Sequence, residues 1–258
     1  MKVVSILIPV YQNSHLTKDC IQSIYSTTKI PIELIIVDNA STDDTIQVLL
    51  ELQNNKPDNI EEFIVIRNKE NMGVVSAFNQ GIKQFSGDYL LLQNNDCVMT
   101  YNWLEEMMEV ISENEKIGII GPLSNLFHGK THPHPQLIFP GYKTIDDLEK
   151  FVSSLKEKQK AAFIETDYVF GHCMLISREV IQNIGGFDTR FGIGYFEEID
   201  FCKRAKDKGF KVGVANLSFV HHIGNKTLDL LKIDREKLKE KNKQIFNEKW
   251  KMDFHDKL

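Results

Sequence analysis

Long apolar runs are missing from this chain. None approaches the ~20 residues that cross a bilayer, so no membrane-spanning helix is expected. The first residues, MKVVSILIPVYQNS, hold one Lys and a short apolar run. A secretory leader needs a longer apolar stretch and a small-residue cleavage site, so none is expected either. Cysteine is scarce: Cys20, Cys97, Cys173 and Cys202 stand far apart, with no Cys-x-x-Cys. That argues against a disulfide framework and for reduced thiols in a cytoplasmic protein. Positive charge is not in excess. A net charge of −5 gives no support for a nucleic-acid surface. No internal repeat and no low-complexity segment occurs, which sets solenoids aside.

What is present reads as a globular enzyme-sized chain. Its 258 residues allow one large α/β domain or two small ones. Folding at this size buries roughly 70–75% of the unfolded surface. Leu90-Leu91-Leu92-Gln93-Asn94-Asn95-Asp96 organises the rest. Three apolar residues predict a strand buried on both faces, and ligands of open α/β sheets gather beyond the carboxyl ends of such strands.

Further strands are predicted at Val3–Ile8, Leu34–Val37, Phe63–Ile66 and Ile117–Ile120. Between them lie helical stripes. One is Leu16, Cys20, Ile21, Ile24 and Tyr25, capped by Asn13 or Ser14. Ser41 or Thr42 is expected to cap the next helix. Val74, Phe78, Ile82 and Phe85 mark a third, and Trp103, Met107, Met108 and Ile111 a fourth. The order βαβαβαβαβ to residue 122 predicts an α/β fold with a mostly parallel central sheet flanked by helices.

From Ser124 to Lys160 the pattern weakens. His128, His132 and His134 stand there among prolines without a Cys or acidic partner, and are expected as solvated imidazoles on a mobile acceptor-side loop. Regularity returns at Tyr168–Phe170 and Met174–Ile176. Helices are expected over Arg178–Ile184 and Phe196–Lys208, and a strand over Phe210–Val214 leads to Ser218–His222. The Lys- and Glu-rich tail from Asp234 is expected as a surface helix docked by Leu238, Ile245, Phe246 and Trp250.

Acidic groups end apolar runs or open helices at Asp38, Asp96 and Glu197-Glu198-Ile199-Asp200, and His221-His222 follows the last strand. Displacing a nucleoside diphosphate from a sugar carbon would use all four. A cation offsets charge on the leaving diphosphate, a carboxylate deprotonates the acceptor hydroxyl, and the base needs selective partners.

The blocks Ser5–Tyr11, Glu33–Asp43, Asn71-Met72-Gly73 with Ala77, Asn79 and Gly81, and Gly87–Asp96 fall in a familiar order. With Gly185–Asp188, Phe196–Arg204 and Val220–His222 they resemble the family 2 inverting glycosyltransferases of GT-A fold, the rhamnosyltransferase-like subgroup included. The likeness runs from residue 3 to about 225, with a gap at 124–160.

The resemblance implies a Rossmann-like nucleotide-diphospho-sugar transferase domain over 1–225. Residues 1–122 would bind the nucleotide sugar, 123–225 would supply the acceptor-binding and catalytic half, and 226–258 a helical tail packed on the domain. Pro9 and Tyr11 would hold base and ribose. Asp38, acceptor-only when ionised, would take the N3 proton of uracil or thymine in a UDP- or dTDP-sugar. Asn71 and Gly73 would lie near the base and diphosphate, with Asn94 and Asn95 beside the donor.

Asp96 matches the last acid of the metal-binding Asp-x-Asp signature, with Asn94 in the first position. It would hold Mg²⁺ or Mn²⁺, and His221 at a ligating position would tilt the choice to Mn²⁺. Spacing alone does not separate His221 from His222. Glu198 is the expected base, with Glu197 or Asp200 as fallback, and Arg204 would neutralise Asp200 at i+4. The implied acceptor is a glycan or lipid-linked glycan of cell-surface polysaccharide synthesis. Peripheral association with the inner membrane face and pairing into a homodimer stay open. A sugar nucleotidyltransferase would want a Gly-rich, basic phosphate loop where Tyr11-Gln12-Asn13-Ser14 stands. A non-catalytic glycan-binding scaffold would not need both Asp96 and Glu198.

Overall fold

A computed structural model describes residues 3–125, 134–224 and 226–254. The first apolar runs become β1 (Val4–Val10), β2 (Ile32–Asp38), β3 (Ile60–Arg67) and β4 (Tyr89–Gln93). They form a parallel block in the order β3-β2-β1-β4, in which Leu7 pairs with Ile35 on one side and Leu92 on the other. Successive side chains alternate between faces. Ile6, Ile8, Leu34, Ile36 and Leu91 join one core with helices α1 (Ser14–Thr27), α2 (Thr45–Asn54) and α4 (Trp103–Glu113). Leu7, Ile35, Val37, Leu90 and Leu92 join the other, with Phe78 of α3 (Val74–Ile82) and Phe201 of α7 (Glu197–Asp207). Fully burying such a side chain stabilises by about 1.5–3 kcal/mol. Both faces of β1, β2 and β4 are covered, which is why they read as continuous apolar runs, while β3 at the edge leaves Glu61, Glu62 and Arg67 exposed.

One carboxylate starts two helices. Asp43 Oδ2 accepts from Ser14 N at 3.0 Å and Oδ1 from Thr45 N at 3.2 Å. Asp43, not Ser41 or Thr42, therefore takes the first N–H of α2, whose N-cap position is Asp44. Ser41 Oγ instead accepts from Gln12 N at 2.8 Å and ties two loops at the sheet's carboxyl end. At α1 the Asn13 side chain makes no capping bond.

The second half departs from a parallel pattern. Strand β9 (Cys173–Ser177) inserts antiparallel between β4 and β6 (Ile117–Asn125). The long β10 (Lys211–His222) runs parallel to β6, and a three-residue β5 (Cys97–Met99) returns antiparallel to β10. Short strands β7 (Leu137–Ile138) and β8 (Phe163–Glu165) extend the sheet beside β6 and β10. Tyr168–Phe170 forms no strand. The two apolar stretches around Val212 and Phe219 are one strand, broken by an irregularity between Ala215 and Phe219.

The insert holds α5 (Leu148–Lys156), and α6 (Arg178–Ile184) follows β9. His134 corrects the expectation of a solvated loop imidazole: it is buried between Tyr168 and Phe170, with Nε2 3.0 Å from Tyr168 O. His128 and His132 lie outside the described residues. After the short α8 (Lys226–Leu230), Asp234 caps α9 (Arg235–Trp250), whose Phe246 is buried in the second core. Among the described residues, no helix is long and apolar enough to cross a membrane, and the four cysteines are free and buried.

Candidate active site

The polar stretch after β4 sits where the parallel block ends. Asn94 N donates to His172 O at 2.9 Å, which fixes the turn leading to Asp96. Strand β5 starts at once, and its antiparallel register sets Cys97 against His222 and Val98 against His221. Neighbours on a strand point to opposite faces, so only one of the two imidazoles can reach Asp96. It is His222: Nε2 lies 3.2 Å from Asp96 Oδ1 and 3.5 Å from Asn94 Nδ2. His221 corrects the expected assignment. Its Nδ1 meets the Tyr142 hydroxyl on the other face, and burial, then the charge of His222, lowers its pKa to about 4.

Asp96, Cys97 and His222 bring one ligand atom each within 4.8 Å of one another. Burial opposes a charge on Asp96, but hydrogen bonds from His222 and the backbone outweigh it and hold the carboxyl below its ordinary range. Burial, with Asp96 adding to it, pushes the Cys97 thiol far up, so it stays protonated. An ionised carboxylate and an imidazole are the donors left, and that set suits a borderline divalent cation. Asn125 backs His222 with a reciprocal pair of bonds, Nδ2 to His222 O at 3.0 Å and His222 N to Oδ1 at 2.6 Å. Asn95 is not brought to this cluster. It is 5% exposed, and its Nδ2 donates to Thr17 Oγ1 at 2.9 Å, tying the turn to α1.

His172, which the sequence reading passed over, stacks on His222 with ring centroids 4.8 Å apart and planes 9° from parallel. Burial, then the charge of His222, drives its pKa far below the ordinary value, and its Nε2 has no hydrogen-bond partner. No sequence signal marked it beyond its place between Gly171 and β9.

One residue earlier the chain touches the acid pair. A Cβ on Gly171 would lie 3.6 Å from Glu198 Cβ and 4.0 Å from Glu197 Oε1. Gly171-His172 thus joins the Asp96 cluster to Glu197-Glu198. Both glutamates are buried at the start of α7, each with an Oε2 that has no partner. Burial raises both, and they diverge. The charge of Glu198 and the hydrogen bond given to it drive Glu197 far up, whereas backbone N–H and the bond from Glu197 limit the rise at Glu198. Burial thus holds both carboxyls above their ordinary range, Glu197 the more strongly, and the two titrate as a pair. Asp200 is structural: it accepts from Arg204 Nε at 2.9 Å and Trp250 Nε1 at 2.9 Å, and Lys249 Nζ lies 2.7 Å away.

At the end of β2, Asp38 is fully buried. Its Oδ1 accepts from Ser41 N at 2.9 Å, while Oδ2, 3.4 Å from Arg67 Nε, has no hydrogen-bond partner. Pro9 and Tyr11 stand half-buried at the end of β1, with Pro9 level with Val37. Asn71 Oδ1 accepts from Gly73 N at 2.9 Å and shapes the turn into α3. Gly73 has φ 82°, and a Cβ there would fall 2.8 Å from Gly192 O. The turn carrying Asn71 and Gly73 thus abuts the loop that leads to Glu197.

A family model described as glycosyl transferase family 2 matches residues 5–185. Glycosyltransferase AglE of Haloferax volcanii is 25% identical over 222 residues, covering 85% of this chain and 65% of its own. An N-acetylglucosaminyl-diphospho-decaprenol L-rhamnosyltransferase of Mycobacterium tuberculosis is 23% identical over 228 residues, covering 80% and 71%. The chain spans 54% of an uncharacterised glycosyltransferase of Rickettsia prowazekii, so it matches only part of several relatives.

Two solved structures share the fold. The mannosyltransferase PcManGT of Pyrobaculum calidifontis, in complex with GDP-Man and Mn²⁺, superposes with a TM-score of 0.64 at 17% identity, over 86% of this chain and 57% of that one. S. aureus TarS 1–349 with UDP-GlcNAc gives 0.68 at 16% identity, over 99% and 68%.

Proposed function

Because the chain belongs to glycosyl transferase family 2 and has the GT-A fold, we propose that it transfers a sugar, with inversion, from a nucleoside-diphosphate donor to an acceptor hydroxyl. Residues 1–122 bind the donor, 123–225 supply the acceptor side, and the tail beyond them docks through α9. Asp38 takes a ring N–H of a pyrimidine base, for which its Oδ2, ion-paired with Arg67 but without a hydrogen-bond donor, is suited. Pro9, Tyr11, Asn71 and Gly73 line the donor's path.

Asp96 and His222, with Asn94 beside them, would hold a divalent cation, Mn²⁺ in preference to Mg²⁺ because an imidazole is in the set. When bound, the cation offsets the charge that grows on the leaving diphosphate. Glu198 takes the proton of the acceptor hydroxyl, whose oxygen attacks the anomeric carbon as the bond to the diphosphate oxygen breaks on the opposite face. One displacement inverts the centre, as in inverting glycoside hydrolysis with the acceptor in the place of water. The acceptor is a glycan or lipid-linked glycan of the cell surface, met on the cytoplasmic side of the membrane.

The observation that carries this reading is the Gly171-His172 bridge. It sets the buried Glu197-Glu198 pair beside the Asp96–His222 pair. Melting-temperature shifts with UDP, dTDP, GDP and ADP, each with Mn²⁺ or Mg²⁺, test the donor half by mass action. Uridine and thymidine diphosphates should stabilise the protein most, and Asp96→Ala should abolish the cation's share. Stabilisation by purine diphosphates alone would overturn the role given to Asp38.

A further inference from the structure

The loop that delivers the acid pair is held from outside its own half of the chain. Gly192, Gly194, Tyr195 and Phe196 have φ of 61°, 126°, 68° and 74°. Helix α7 begins from the last of these. Left-handed backbone at non-glycine residues persists only where the surroundings over-determine it. The loop's own backbone bonds are few and long: Gly192 N to Thr189 O at 3.2 Å and Gly194 N to Phe191 O at 3.3 Å.

Three carbonyls of this segment turn to one side chain. Asn242 Nδ2 lies 2.9 Å from Phe191 O, 2.7 Å from Gly194 O and 3.1 Å from Tyr195 O. Asn242 is on α9 and is 1% exposed. An amide nitrogen has two N–H groups, so one of the three bonds is shared. Asp at this position would bring no donor, and Ser only one O–H. One turn later Phe246 packs on Phe196, centroids 5.7 Å apart. The loop also reaches the donor side, where Gly192 O accepts from Val75 N at 3.3 Å.

We propose that Asn242 is a positioning residue: its amide holds Gly192–Phe196 in the one backbone shape that aims Glu198 into the site, making the tail helix part of the catalytic apparatus. The proposal rests on the reading of Glu198 as the base. Its effect on the acid pair is separable from the docking of α9. Lys249, 2.8 Å from Asp188 and 2.7 Å from Asp200, anchors the helix independently, as does Trp250 on Asp200.

The test compares full-length Asn242→Asp and Asn242→Ser with Gln244→Ala, an exposed control on the same helix, and with Glu198→Gln. The probes are UDP-GlcNAc, UDP-glucose and dTDP-rhamnose with Mn²⁺, read as release of free nucleoside diphosphate, alongside amide hydrogen exchange. Both Asn242 variants should speed exchange at residues 192–198 by about 10-fold or more while β1–β4 keep their protection. The rate kcat should fall about 10-fold or more with donor KM changed less than about 3-fold, the signature of a lost transition-state interaction rather than lost binding. Gln244→Ala should match the wild type in both.

Unchanged exchange at 192–198 overturns the proposal, and so does protection lost throughout the chain, which would make Asn242 a general stability residue. The exchange pattern decides alone if the probes turn over too slowly to read. Wild-type turnover in Glu198→Gln would sink the assignment of the base itself. An inactive Glu198→Gln beside an unaffected Asn242→Asp would sink only the inference drawn here.

Discussion

Two adjacent glutamates with the same side chain are given different work by a few contacts. Glu197 is driven up by burial and by the charge of its neighbour, while Glu198 receives a hydrogen bond that favours its ionised form. Glu198→Gln should therefore lose the general-base contribution, about 10²–10⁴-fold in kcat. Glu197→Gln keeps a neutral donor beside Glu198 and should lose about 10-fold or less. Equal losses in the two variants would overturn Glu198 as the base. The pair also makes stability depend on pH. Both carboxyls have folded-state values above their unfolded ones, so the folded protein binds more protons. That stabilisation is complete below the unfolded value and is lost as pH rises through the raised folded values. Glu197→Gln should thus melt higher than the wild type at pH 8, with the difference closing near pH ~4, around the ordinary carboxyl value. A gap that widens on acidification would reverse the sign of the argument.

At the scale of elements, β10 shows what could and could not be read from the residues. Val212 and Val214 face the second core and Ala215 the first, yet Phe219 faces the second and Val220 the first. The irregularity between Ala215 and Phe219 has changed the parity. A one-residue shift moves every later side chain to the opposite face. Strict alternation from Val214 would have set His222 on the face where His221 now meets Tyr142, and no composition rule reveals the shift. Strands β1, β2 and β4 were legible because both their faces are buried, and β3 because its run Phe63–Ile66 packs against both cores. β5 was not, because three residues carry no period, and its pairing with β10 brings His222 to Asp96. Asn242 was hidden for another reason: amid Lys and Glu it reads as one more solvated helix position.

These placements have measurable consequences. His222→Ala should raise the Mn²⁺ concentration for half-maximal turnover by more than the ~10–100-fold seen when an outer-shell partner of a metal is lost. His221→Ala should leave that concentration within a few-fold. The reverse order would return the ligand role to His221. Gly73→Ala would need a left-handed backbone and a Cβ 2.8 Å from Gly192 O. It should raise donor KM and lower the melting temperature, by about 2–4 °C for each kcal/mol lost in a chain of this size.

At the scale of the molecule, the segments before and after the insert are interleaved. β9, from beyond the insert, lies between β4 and β6, both from the first half of the chain. β5 pairs with β10 across more than 100 intervening residues. The tail adds a third tie, since Asn242, Lys249 and Trp250 bind the segment from Phe191 to Asp200. Neither half can leave without stripping hydrogen bonds from the other, so the chain should unfold as one unit. Its two tryptophans report on distant parts. Trp103 is fully buried on α4 and donates from Nε1 to Thr28 Oγ1 at 3.1 Å, while Trp250 sits at the end of the tail helix. Trp103→Phe and Trp250→Phe each leave a single emitter. In urea, each variant's remaining tryptophan should follow the same transition as that variant's far-ultraviolet circular dichroism, which is the test of all-or-none behaviour. A Trp250 signal that changes at lower urea than the circular dichroism of the same variant would mean that the tail detaches first. Turnover should then be lost with the Trp250 signal rather than with the global transition, because the tail holds the loop that carries Glu198.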